Sequence, residues 1–147
     1  MSDRVLEKTT IAAPPEAVLE ILLDFPRYAA WAKDLKAIDV LERDEHGRGT
    51  SVAFRAGGMG RSTHYTLAYD HTEPNVLAWV LSDGDITRKL DGRYVLEPGA
   101  DGGTAVTYEL EVELVVPLPP FVKRRTQVKI MHAALAELKA YAERAEA

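Results

Sequence analysis

The sequence contains no cysteine among its 147 residues, which excludes disulfides, thiolate nucleophiles and cysteine-ligated zinc and is compatible with a reducing compartment. Long apolar runs are also missing. The stretch from Met1 to Pro15 has no segment of the length a signal peptide needs, and nothing later approaches the roughly 18 apolar residues of a membrane span. A cytoplasmic protein is the expectation. Basic charge is not in excess: at a net charge of −5 the chain has no general basic face to displace counterions from phosphates, so nucleic acid is not an expected partner. The tight basic run Lys123, Arg124, Arg125, with Lys129 nearby, reads either as a solvated helix face or as a contact with a membrane surface.

Metal-binding patterns are absent too. The histidines His46, His64, His71 and His132 form no pair at ligand spacing, and neither HExxH nor another histidine-carboxylate motif occurs, so no metal is expected. The cluster Gly57, Gly58, Met59, Gly60 lacks the form of a phosphate-cradling loop and reads as a flexible hairpin. No cofactor is expected.

What is present is the material of one folded domain spanning residues 1–147, with 46% hydrophobic and 28% charged residues. Val5 to Ile11 is a short β-branched run stopped by Pro14-Pro15, because proline cannot donate to a ladder. Behind those prolines, Glu16 and the spaced Val18, Leu19, Ile21 and Leu22 predict a short helix ending near Asp24, ahead of Pro26. Phe25 to Trp31 is aromatic-rich and proline-broken, and predicts a second short helix with its aromatics inward.

From Ile38 to Gly103 apolar runs alternate with turn signals at Glu45-His46-Gly47, Gly57 to Gly60, Glu73-Pro74-Asn75, Asp83-Gly84-Asp85 and Pro98-Gly99, which predicts an antiparallel meander. The last strand is the clearest: Val106, Tyr108, Leu110, Val112 and Leu114 alternate with Thr107, Glu109, Glu111 and Glu113. Those three glutamates share the solvent face. Pro117 to Pro120 ends the strand, and from Phe121 onward the stripe Val128, Met131, Leu135, Leu138, Ala142 marks one side of a long helix. One strand, two short helices, about six more strands and a terminal helix give an α+β fold with helices segregated to one side of an antiparallel sheet.

That order, with the Phe25 to Trp31 segment, the strand pair Gly92 to Leu96 and Gly103 to Tyr108, and the prolines before the last helix, resembles the polyketide cyclase/dehydrase family. This family lies in the START and Bet v 1-like (SRPBCC) superfamily, and the likeness covers nearly the whole chain. The resemblance implies a helix-grip fold, a curved sheet of about seven strands wrapped around the C-terminal helix over a deep apolar cavity. Relatives of this kind include aromatase/cyclases, coenzyme Q-binding proteins and sterol or lipid carriers.

On that fold the inward positions Phe54, Tyr65, Trp79, Tyr94, Tyr108 and Leu110 would face Val128, Met131 and Leu135, with Tyr28 and Trp31 closing one end. These side chains either pack an ordinary core or line the cavity, where buried Tyr and Trp need partners for their polar atoms. Met59, Leu118 and Phe121 would form a gate, and the cations behind Phe121 would let that lid touch an anionic membrane transiently.

The aromatase/cyclases that the chain resembles use a cavity arginine on the strand after the glycine hairpin. Here Tyr69 falls near that position, and a tyrosine supplies no permanent cation. Arg88 and His132 are the remaining candidates for chemistry. The expectation is therefore a binding or transport domain for a lipid, an isoprenoid quinone or a polycyclic aromatic molecule, acting as a monomer or homodimer. An aromatase/cyclase or dehydratase and a protein-interaction module are the alternatives.

Overall fold

The computed structural model describes residues 3–58, 61–115 and 118–146, and builds them from strands β1 (Asp3–Ile11), β2 (Leu35–Arg43), β3 (Gly49–Gly58), β4 (Arg61–Asp70), β5 (Val76–Gly84), β6 (Thr87–Pro98) and β7 (Thr104–Leu114). Helix α1 (Pro15–Leu23) and a 3-10 helix (Phe25–Ala30) lie between β1 and β2, and α2 (Pro120–Glu146) closes the chain. The strands form one antiparallel sheet in the order β1-β7-β6-β5-β4-β3-β2. This is the helix-grip arrangement. The second short helix takes 3-10 rather than α geometry, since Pro26 sits inside so short a segment.

Local sequence explains the elements. Along β7 buried positions alternate with half-buried ones from Thr104 to Leu110, as the Val106, Tyr108, Leu110 pattern requires. Proline at the first turn of α1 gives up an N–H that would have no partner there, and the carbonyl of Pro14 accepts from Ala17 and Val18 instead. Val18 and Leu22, one turn apart, are fully buried.

Helix α2 runs along β1, with closer approaches to β7 and α1 than to the other strands. Its buried stripe comprises Gln127, Met131, Leu135, Leu138 and Ala142. Polar contacts clamp it along its length, among them one from Lys139 Nζ to the Thr10 carbonyl. Gln127 Nε2 donates to the Leu110 carbonyl at 2.7 Å, His132 pairs with Glu7, Glu137 accepts from the Lys33 N–H at 3.2 Å, and Glu143 accepts from the Ala12 N–H at 2.9 Å. The far strands are thus left to be covered by α1 and the 3-10 helix, which pack against β5, β6 and β2.

The sheet parts at one end. β5 pairs with β6 only over Val76–Trp79 against Val95–Gly92, yet β5 continues alongside β4 to Gly84 and β6 alongside β7 from Thr87. Register shifts at Thr66/Leu67 and Thr87/Lys89 bend the flanking ladders there, as bulges do. The Asp91 carboxylate spans the opening and accepts from the Leu81 N–H at 3.0 Å. The tip beyond it is pinned by Asp85, whose carboxylate accepts from Thr63 Oγ1 at 2.5 Å, His64 N–H at 3.0 Å and Ile86 N–H at 2.6 Å.

Candidate functional site

The concave side of the sheet carries an unbroken chain of aromatic rings. Tyr65 stacks on Phe54 at 5.4 Å, Phe54 meets Tyr28 at 6.2 Å, and Tyr28 contacts both Trp31 at 4.9 Å and Phe25 at 5.3 Å. Phe25 leads to Tyr69 at 4.6 Å, Tyr69 to Trp79 at 5.9 Å, and Trp79 to Tyr94 at 5.5 Å and Tyr108 at 6.1 Å. Every aromatic residue of the protein except Phe121 and Tyr141 belongs to it. Alternation puts these rings on one face of five strands, and the 3-10 helix brings Tyr28 and Trp31 over that face.

Its polar atoms sit in a dry setting. Burial pushes the hydroxyls of Tyr28, Tyr69 and Tyr94 well above their ordinary pKa and raises Tyr108 too, with neighbouring tyrosines adding to the shift for Tyr28, Tyr69 and Tyr94. Tyr65 is pushed up to about 12 by burial and then by the Asp34 carboxylate. All five hydroxyls are therefore neutral at physiological pH. The Tyr28 hydroxyl donates to the Leu22 carbonyl, and the rings of Tyr94 and Tyr108 stack at 4.4 Å. The indole N–H groups of Trp31 and Trp79 are buried with no protein acceptor.

Charge is kept out of this region. Among the described residues the fully buried polar ones are Thr104 and Gln127, and neither is ionisable. Arg88 is exposed on β6. His132 is exposed on α2 and engaged by Glu7. Tyr69, by contrast, sits in the middle of the aromatic chain. Of the residues expected to line the interior, Phe54, Trp79, Tyr94, Tyr108, Leu110, Met131, Leu135, Tyr28 and Trp31 are buried, while Tyr65 and Val128 are partly so. Leu118 and Phe121 are exposed, and Met59 lies outside the described residues.

The structure adds the buried Gln127, which the apolar stripe does not include, and a bridging role for Phe25, whose inward position the aromatic segment predicts. Gln127 occupies the buried stripe one turn before Met131, a position that i, i+4 spacing marks although its polarity hides it. Phe25 joins the two halves of the aromatic chain, which only the tertiary arrangement reveals. Glu109 and Glu111 lie on the outer face as expected, paired with Arg93 and with Arg4 and Lys89 respectively. Two surface clefts, of about 250 and 290 Å³, lie elsewhere, one between α1, the 3-10 helix and the end of α2, the other beside Arg48 and His71. Trp31, which contacts Tyr28, borders the first.

The family described as polyketide cyclase/dehydrase and lipid transport matches residues 3–143. The chain belongs to this family. Among solved structures it is similar to a START superfamily protein from Mycobacterium smegmatis, with 25% identity, a TM-score of 0.89, and 96% of this chain and 97% of that one covered. The Zhui aromatase/cyclase from Streptomyces sp. R1128 has the same fold at 19% identity and a TM-score of 0.83, covering 98% and 95% of the two chains. A STAR-related lipid transfer protein from Xanthomonas axonopodis follows at 17% identity and a TM-score of 0.70, covering 95% and 85%. No curated protein matches the sequence. The family and these neighbours fit binding of a hydrophobic ligand or cyclase-like chemistry on one. No helix among the described residues is long and apolar enough to cross a membrane.

Proposed function

We propose that this member of the family is a binding or transport domain that holds an apolar molecule with a flat or conjugated portion, a lipid, an isoprenoid quinone or a polycyclic aromatic, between the sheet and α2. The aromatic chain from Tyr65 to Tyr108 carries the proposal. It offers ring faces for stacking and, at Trp31 and Trp79, donors that a ligand oxygen would satisfy, while among the described residues no ionisable group other than tyrosine is buried beside it. Tyr65 and Tyr69 keep some accessible surface even though burial raises their pKa values, which fits side chains that border an internal space. Acid-base turnover needs a group whose pKa lies near the working pH, and tyrosines pushed upward move away from it.

Native mass spectrometry of the protein purified from its own host tests this directly. A retained apolar mass that is absent from a Trp79→Ala, Tyr94→Ala variant is the expected result. Protein that carries no ligand and leaves a polycyclic aromatic probe unbound would overturn it.

Cyclase chemistry is the second reading, and the stacked, buried pair Tyr94 and Tyr108 favours it. Neutral phenols in a dry site can polarise a carbonyl, although they provide less than a cation would. Reconstitution with a poly-β-ketone-forming synthase decides: a product change that depends on this protein and vanishes in Tyr94→Phe, Tyr108→Phe selects the enzyme.

A further inference from the structure

The parted end of the sheet carries an apolar surface outside the aromatic chain. Ile86 at the β5–β6 tip, Val115 after β7, and Leu118, Phe121 and Val122 at the start of α2 are 52%, 47%, 41%, 68% and 36% exposed. They are neighbours by construction. The Val115 N–H donates to the Ile86 carbonyl at 2.9 Å, which fixes the tip against the end of β7, and Leu118 is three residues from Val115, so within about 11 Å of chain. Asp85 holds the tip through three hydrogen bonds, and the Pro119 carbonyl starts α2 by accepting from Val122 and Lys123. Ile86, Val115 and Val122 are therefore displayed from hydrogen-bonded backbone.

Charge singles out the same end. From Leu114 to Ala136 the sequence has none of its 23 acids and carries Lys123, Arg124, Arg125 and Lys129. In a chain of net charge −5 this is a segregated basic segment directly behind the apolar residues. Arg124, Arg125 and Lys129 are exposed, as is the apolar Ile130 next to Lys129.

We propose that this end docks on an anionic lipid surface, with Phe121, Leu118 and Ile86 entering the interfacial region and Lys123, Arg124, Arg125 and Lys129 meeting the headgroups. Protruding apolar side chains backed by cations suit a soft, negatively charged interface. A second copy of the chain fits poorly, because a self-complementary contact through this patch would bring two sets of the same four cations together. The proposal stands apart from the internal ligand and needs none.

Sedimentation with vesicles tests it, using phosphatidylcholine alone and phosphatidylcholine mixed with phosphatidylglycerol. Binding is expected to the mixed vesicles only, and to weaken as salt rises. Each cation should contribute about a fivefold factor, so Arg124→Glu with Arg125→Glu should lower partitioning at least about 25-fold. Phe121→Ser should lower it with the charge intact. A Lys8→Glu, Lys36→Glu control, which reverses exposed cations elsewhere, should change it far less, with circular dichroism confirming that all variants fold. Equal pelleting with both vesicle types, no pelleting with either, or an equal loss in the control would overturn the proposal. So would vesicle-free oligomers that Phe121→Ser dissolves, since the patch would then join copies of the protein.

Discussion

Trp79 on β5 faces Gly92 on β6 as the last cross-strand pair before the two strands part. A Cβ at position 92 would stand 2.7 Å from Trp79 Cζ2 and 2.5 Å from the Glu109 carbonyl oxygen, closer than real atoms approach. Glycine here lets the indole lie across β6, beside Tyr94 and Tyr108, and leaves its N–H within the interior. The pair thus sets both the composition of the aromatic wall and the place where the sheet opens.

Gly92→Ala should therefore destabilise the fold by about 1–3 kcal/mol, the usual cost of overpacking, because the backbone oxygen of Glu109 cannot move aside as a flexible side chain could. Urea unfolding measures it. Trp79→Phe in the alanine background should recover part of the loss if the indole is the main obstacle, and none of it if the β7 backbone is.

A second expectation concerns alkaline pH. The folded-state pKa values of Tyr28, Tyr69 and Tyr94 lie well above the ordinary 10.0, and that of Tyr65 lies at about 12. As pH rises the unfolded chain loses these protons first, so the contribution to stability is complete below about pH 10 and disappears above it. Phenolate absorbance should stay low for the buried tyrosines through pH 10 and then rise together with loss of the folded circular-dichroism signal. A gradual rise near pH 10 in still-folded protein would mean that water reaches these hydroxyls freely.

Gln127 supplies a third. Its Nε2 donates to the Leu110 carbonyl from a fully buried position, joining α2 to β7. Gln127→Leu should cost about 1–3 kcal/mol by stranding that carbonyl, and measured unfolding free energies check it. A neutral result would show that water replaces the amide.

Much of this architecture was readable from the chain, for reasons particular residues make plain. Val106 to Val112 alternate because one face of β7 is covered and the other wet, and Met131, Leu135, Leu138 and Ala142 repeat because α2 buries one side. The order of seven strands, two short helices after the first and a long terminal helix follows from proline and glycine punctuation, whereas the 3-10 turn Ala100–Gly102 between β6 and β7 does not. The site was only half legible: alternation identified Trp79, Tyr94 and Tyr108 as inward, but not that Phe25 would bridge them to Phe54 through Tyr69 and Tyr28. Such contacts depend on how far a 3-10 helix reaches across a sheet, and no sequence period encodes that. The position of Arg88 at a strand start favours an exposed strand-end charge over an inward one, and the residue is exposed beside a register shift between Thr87 and Lys89.

The last expectation separates an internal binding space from a solid core. Leu135 is buried at 4% exposure on the face of α2 turned to the sheet, one turn beyond Met131. If the aromatic wall borders a space large enough for a ligand, Leu135→Trp fills part of that space and adds apolar burial, so the thermal midpoint should hold or rise. In a close-packed core the same change would cost about 1–3 kcal/mol, a drop of several degrees in a domain of this size. Binding moves the opposite way. A polycyclic aromatic probe that binds the parent, followed by its own fluorescence anisotropy, should no longer bind Leu135→Trp, where the new indole occupies its place. A lowered midpoint with probe binding retained would mean that the residues around Leu135 are ordinary packing and that the ligand site lies nearer Tyr28 and Phe54.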